Sequence, residues 1–209
     1  MRQVLVVHFS QTGQLDRLVR SVCAPLEKAS GVQVDYLPLQ PAQPFPFPWP
    51  FLGFFRIFPE TVLMRPQPLL PLQVDAHKRY DLIILAYQVW FLSPSLPVTS
   101  FLASPEAAKL CKDTPVVTLI GCRNMWLMAQ EKVKAKLTEL GARLVDNIAL
   151  TDACGTAASF LATPLWMFTG RQKPYAWVPR AGIEESEIAA ASRFGGGGTK
   201  SGDTPAPDA

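Results

Sequence analysis

Short apolar runs alternate with amphipathic segments along this chain, and the rhythm breaks once. Gln3–His8 is a strand pattern centred on Val4-Leu5-Val6-Val7. Leu15, Leu18, Val19, Val22 and Leu26 then recur at spacings of three and four, with Asp16, Arg17, Arg20 and Glu27 between them, which predicts an amphipathic helix. Pro25 is expected to kink or end that helix early, and Gly31 to stop it. Val32–Leu37 alternates as a second strand does. Tyr80–Tyr87 and Pro115–Gly121 are near-continuous apolar runs, the pattern of central parallel strands covered on both faces. Short helices are predicted over Val98–Ala103, introduced by Pro97, and after Ser104-Pro105-Glu106, where a capping hydroxyl precedes a proline and an acid. Trp126, Ala129, Val133, Leu137 and Leu140 share one face of a longer helix that Gly141 stops, and Ala142–Leu150 reads as a fifth strand. The expectation is an α/β domain over residues 1–152, a doubly wound five-stranded parallel sheet.

The break falls at residues 38–72, where a second helix is due. Prolines recur there from Pro38 to Pro71, with Phe45, Phe47, Trp49, Phe51, Phe54, Phe55 and Phe58 between them. That density excludes a continuous helix or a paired strand, though a short helix fits Phe51–Phe58. The segment is too aromatic for a disordered linker. It is expected to replace the missing helix as a packed cap that shapes an apolar pocket. A partner surface and a membrane-surface contact are the alternatives. Residues 153–195 are expected to pack on the domain as an irregular extension, with Phe160–Phe168 as a docking helix or lid. The glycine-rich, polar stretch 196–209 reads as a flexible tail.

Composition narrows the function. A net charge of +3 over 209 residues, with no basic stripe, argues against nucleic acid as a partner. The 4 cysteines form no C-x-x-C pair, which suits reduced thiols in the cytoplasm. His8 and His77 sit in no ligand-spaced cluster, so no metal site is expected. No apolar run is long enough to span a bilayer, and Met1-Arg2-Gln3 enters the first strand directly, without a signal-peptide pattern.

Three loops leave the carboxyl edge of the sheet, where open parallel sheets bind ligands. Ser10-Gln11-Thr12-Gly13-Gln14-Leu15 joins a strand to a helix start, offering hydroxyls and unpaired N–H groups to one phosphate. It lacks the lysine of a P-loop and the three glycines of a dinucleotide fingerprint. Gln88-Val89-Trp90-Phe91 presents flat rings for stacking, and Gly121-Cys122-Arg123-Asn124 adds backbone and polar groups. A planar ring with one phosphate describes flavin mononucleotide (FMN). Tyr87, Gln88 and Arg123 are the catalytic candidates, placed to hold substrate oxygens, with Arg123 favouring an enolate.

The loop Ser10–Gln14, with Tyr80–Ile84 followed by Val89-Trp90-Phe91 and Pro94, resembles the phosphate loop, third strand and ring-stacking loop of the flavodoxin-like proteins. Leu15 stands where that family's loop usually ends in a second Thr or Ser. Pro44–Trp49, Trp90–Ser95 and Gly121–Glu131 are similar to the flavodoxin-like group labelled dialkylresorcinol condensing enzymes. That resemblance implies a pathway in which a ketosynthase-type partner forms the carbon–carbon bonds. The flavodoxin-like member then oxidises a dialkyl cyclohexane-1,3-dione to a dialkylresorcinol, with flavin N5 accepting the hydride. With only two histidines, the chain lacks the Cys-His-Asn or Cys-His-His set a condensing enzyme uses, so oxidation is the expected role. The competing expectation is a non-catalytic scaffold or accessory subunit that binds a ketosynthase-type partner or a membrane. A homodimer and a peripheral position at the inner face of the membrane are further expectations.

Overall fold

The computed structural model describes residues 1–122, 125–151, 156–173, 175, 177 and 180–195. Five parallel strands form its centre: β1 (Arg2–His8), β2 (Val32–Pro38), β3 (Leu82–Trp90), β5 (Pro115–Cys122) and β6 (Arg143–Thr151). Their order is β2-β1-β3-β5-β6, and a two-residue strand β4 (Ser93–Pro94) pairs antiparallel with the end of β3. The order reverses at β1, so the β1 and β3 carboxyl ends flank the switch point where such sheets take ligands.

Alternation along the central strands explains the two cores. Leu5 and Val7 of β1, with Ile83, Leu85 and Tyr87 of β3, face one layer. Helices α4 (Leu96–Leu102), α5 (Pro105–Cys111) and α6 (Leu127–Glu139) cover it through Phe101, Leu110 and Val133. Val4 and Val6, with Ile84 and Ala86, face the other layer. There α1 (Gln14–Lys28) packs Leu18 and Val22 into the core, and α8 (Glu185–Ala190) adds Ile188.

The helix α1 runs through Pro25 to Lys28, three residues past the expected break. A proline in the last turn removes one N–H and leaves the preceding turns of the ladder intact. Ser104 caps α5 as expected, its hydroxyl accepting from the Ala107 N–H at 3.1 Å.

Pro38 closes β2 opposite His8, and residues 39–72 form no sheet strand. Short helices α2 (Phe51–Arg56) and α3 (Phe58–Val62) interrupt them, and one bridge joins Pro41 to Leu69. Leu69, Leu72 and Val74 pack on the first core, on the face a second helix covers in a doubly wound sheet. The Trp49 N–H donates to the Met167 carbonyl at 2.8 Å, fastening the segment to α7 (Thr156–Thr169). Among the described residues no helix is long and apolar enough to cross a membrane.

Candidate functional site: a capped cavity at the carboxyl edge of the sheet

Gly13 ends the first loop with φ +76° and starts α1, whose first helical bond runs from the Arg17 N–H to the Gly13 carbonyl. The N–H groups of Gln14, Leu15 and Asp16 come before that bond, at the positive end of the helix. The hydroxyls of Ser10 and Thr12 lie beside them, buried and without a hydrogen-bond partner among the described residues. A buried hydroxyl left unmatched costs about 1–3 kcal/mol. Two such donors at one helix start have the right chemistry to hold an anion.

Thr12 also lines a cavity of about 400 Å³, within the range of small-molecule sites. Gln11, Gln14 and Gln88 give it a polar end. Trp90, Phe91, Phe54, Trp166, Met167 and Phe168 supply much of its apolar wall. Val89, Gly121 and Cys122 contribute at the strand ends. Among the described residues no charged side chain lines it.

The loops are tied to one another and to the cap. The Gln11 side-chain amide donates to the Pro46 carbonyl at 3.0 Å, and the Gln11 N–H reaches the Gln88 Oε1 at 3.4 Å. Phe9, Phe45, Trp49 and Trp90 form a cluster of mostly edge-on rings with centroids 5.1–6.3 Å apart. Phe91 lies 4.6 Å from Phe54 and 5.1 Å from Phe58, ring to ring. Phe54 in turn meets Phe168 of α7 at 5.7 Å. The Pro/aromatic segment therefore walls the cavity from one side and α7 from another.

Strand β3 does not end at Tyr87, as the apolar run suggested. It continues to Trp90 and turns back through Phe91 and Leu92, with Trp90 opposite Ser93. Both turn residues have positive φ, 48° and 58°, as a type I′ turn requires, yet neither is Gly or Asn. Each pays about 1–2 kcal/mol for that conformation. Lys132 of α6 braces the turn, donating to the Ser93 hydroxyl at 2.7 Å and the Val62 carbonyl at 3.0 Å. Strain held in place at a cavity wall is the pattern of a functional loop.

Several expected site residues serve other ends. Tyr87 is fully buried in the first core, and its hydroxyl donates to the Gln130 Oε1 at 2.6 Å. Gln130 passes the chain to Thr118 at 3.0 Å, and Thr118 to Asn147 at 3.1 Å. Tyr87 thus cannot hold a substrate oxygen, and burial pushes its phenol well above the usual range. Tyr87→Phe is expected to lower stability by about 1–2 kcal/mol in a denaturant melt and to leave ligand affinity unchanged.

Leu15 sends its side chain into the second core, so only its main chain can meet an anion. Gln14 spends its amide on the Ile183 backbone, donating to the carbonyl at 3.1 Å and accepting from the N–H at 3.2 Å. Gly121 is needed for packing: a Cβ there would lie 3.1 Å from Leu15 Cδ1 and 3.5 Å from Ile183 Cδ1. Burial pushes the Cys122 thiol up to about 12, so it lines the cavity as a neutral group. His8, under the loop, bonds Asp16 at 3.2 Å, and burial draws its pKa below the usual value. Ser10 and Gly13 shape the first loop without lining the cavity. Arg123 and Asn124 lie outside the described residues, as do Cys154 and the tail 196–209.

No protein-family model matches the chain, and no curated protein matches it. Solved structures do. A flavoprotein in complex with FMN from Lactobacillus acidophilus superposes with a TM-score of 0.55 at 12% identity, over 71% of this chain and 93% of that one. A flavodoxin, WrbA-like protein from Agrobacterium tumefaciens gives 0.51 at 11% identity, over 94% of both chains. An archaeal flavodoxin gives 0.50 at 10% identity, again over 94% of both. This chain has the flavodoxin-like fold. At such identities the likeness concerns the fold alone.

Within the flavodoxin-like frame, the sequence reading missed two elements that build the site. One is the β3–β4 hairpin, whose turn lacks the Asn-Gly signal. The other is the segment Ala181–Ile183 with α8 behind it, which seats Gly182 and Ile183 in the cavity wall. Its available signal was the spacing of Ile183, Ile188 and Ala191, all buried against α1.

Proposed function

We propose that this chain is an FMN-dependent oxidoreductase acting on a lipophilic small molecule. The observation that carries the reading is the pair of buried, unpartnered hydroxyls of Ser10 and Thr12 at the start of α1, beside an apolar cavity at the switch point. These hydroxyls and the free N–H groups of α1 hold the phosphate of FMN. Trp90 and Phe91 border its ring. FMN bound there supplies a hydride acceptor at N5. The apolar wall excludes water from the reacting centre. The Gln88 side chain lines the same cavity and offers a hydrogen-bond donor to a substrate oxygen. Arg123 keeps its proposed role of favouring an enolate.

The specific reaction, resting on the sequence resemblance, is oxidation of a dialkyl cyclohexane-1,3-dione to a dialkylresorcinol. The ring loses a hydride and a proton, and the carbon skeleton is unchanged. The acidity of a 1,3-dione lets a modest base or solvent take the proton. The apolar wall of Phe54, Met167 and Phe168 suits the alkyl arms. A ketosynthase-type enzyme is the proposed supplier of the dione.

The test is an anaerobic single turnover of FMN-loaded protein with a dialkyl cyclohexane-1,3-dione. Bleaching of the visible flavin band with formation of one resorcinol per flavin is expected. Retention of oxidised flavin with unchanged dione would reject the reaction. Trp90→Ala is expected to weaken FMN binding by about 1–3 kcal/mol in a fluorescence titration, by analogy with base–aromatic stacking. Unchanged affinity would remove Trp90 from the ring site.

A further inference from the structure

Helix α2 is apolar at Phe51, Leu52, Phe54 and Phe55, yet buries none of its residues. Phe51 is 63% exposed, Leu52 69% and Leu63, just after α3, 59%. Phe55 and Phe58 are exposed beside them. Such a patch is unusual on a protein surface that meets only water. Its charges are one-sided. Arg56 and Arg65 are both exposed, and no ion pair involves either among the described residues. The sole acid between Tyr36 and Val74 is Glu60, and one of its carboxylate oxygens is buried.

The patch adjoins the cavity. Phe54 of α2 lines it, and Phe91 of its wall packs on Phe54 and Phe58. Leu92 and Met125 line it too and are themselves exposed, which marks them as its rim. A ligand that enters past them leaves an apolar surface for an apolar cavity.

We propose that α2 and α3 dock on an anionic lipid surface, with Phe51, Leu52 and Phe55 in the headgroup–acyl boundary and Arg56 and Arg65 on the lipid phosphates. The cavity mouth then meets the bilayer, and the ligand class is a membrane-resident amphiphile that passes into the site without crossing water. The charge pattern selects the occupant: exposed aromatic and aliphatic groups flanked by unpaired arginines are the composition of an interfacial anchor on acidic lipid. No helix of the described residues is long enough to span, so the contact is peripheral. The lipid contact stands apart from the flavin reading; only the ligand class rests on it.

The test is flotation of the flavin-free full chain with vesicles of phosphatidylcholine alone and of phosphatidylcholine mixed with phosphatidylglycerol. Binding to the mixed vesicles is expected, and weaker binding to the neutral ones. R56Q/R65Q is expected to lower partitioning onto the mixed vesicles roughly 25-fold, about fivefold per arginine, with little change on neutral ones. L52D/F55D is expected to abolish binding to both. Neither variant replaces a cavity-lining residue, and circular dichroism and FMN titration of each report fold and site independently, which matters for Phe55 because its ring meets Phe54 at 5.3 Å. Absence of flotation on either vesicle would overturn the proposal, as would equal flotation of L52D/F55D. A dimer in light scattering that L52D/F55D dissociates would overturn it too and assign the patch to a second copy. Loss of flavin binding with flotation intact would fail the flavin reading and leave the lipid contact standing.

Discussion

Replacing Ser10 and Thr12 together by alanine is expected to lower FMN affinity by about 10²–10⁴-fold while leaving the ligand-free protein at least as stable as before. The two effects have one cause. A hydrogen bond to a charged group contributes about 1.5–3 kcal/mol, so two of them to a phosphate give about 3–6 kcal/mol, and every ~1.4 kcal/mol is tenfold in affinity. In the ligand-free chain the same hydroxyls are buried without partners, and their removal relieves desolvation. Isothermal titration and a thermal melt of the double variant read both. A melting temperature well below that of the parent protein would show that the hydroxyls serve the fold. Unchanged FMN affinity would show that the phosphate lies elsewhere.

Gly182→Ala is expected to be the most damaging single substitution at the site, at about 3–5 kcal/mol. Gly182 has φ +96°, a conformation that strains any other residue by about 1–3 kcal/mol. A Cβ there would lie 2.7 Å from Gln14 Nε2 and 3.2 Å from Trp166 Cζ3. Gln14 would have to move, releasing both of its bonds to the Ile183 backbone. The segment that closes the cavity would undock from α1, visible as new proteolytic cleavage before α8 and a lower melting temperature. In a Gln14→Ala background the closest obstruction is gone, so Gly182→Ala should cost only its backbone strain and the 3.2 Å contact with Trp166 there. Additive losses across this double-mutant cycle would mean that Gln14 does not hold the segment.

The sheet was legible because strands buried on both faces must be apolar at nearly every position. Val4–Val7, Leu82–Ala86 and Val116–Ile120 carry that pattern, and the alternation with helices makes the strands parallel. The loop Ser10–Gln14 was legible as a strand-to-helix junction from residue type, with hydroxyls and a glycine directly before an amphipathic helix. Tyr87 belongs to the core and not to the site because β3 runs on past it to Trp90. Its parity with Ile83 and Leu85 already assigned it to the core face of a strand that goes on. The turn at Phe91-Leu92 was hidden because its positive φ values are enforced by packing and by Lys132, with no glycine to announce them. Gln14 was read as a ligand group because its partner, Ile183, lies far away along the chain. Such a contact leaves no local trace. The cap was legible as apolar and without a continuous helix, with room for a short helix near Phe51–Phe58, but its attachment through Trp49 and Gln11 depends on single long-range bonds.

Titration of the purified protein with FMN, followed by quenching of flavin fluorescence and by the visible absorbance of the bound form, tests the central claim most directly. One FMN per chain is predicted, with quenching lost in the Ser10/Thr12 double variant. A flat titration, with FMN fluorescence unchanged by excess protein, would contradict the account.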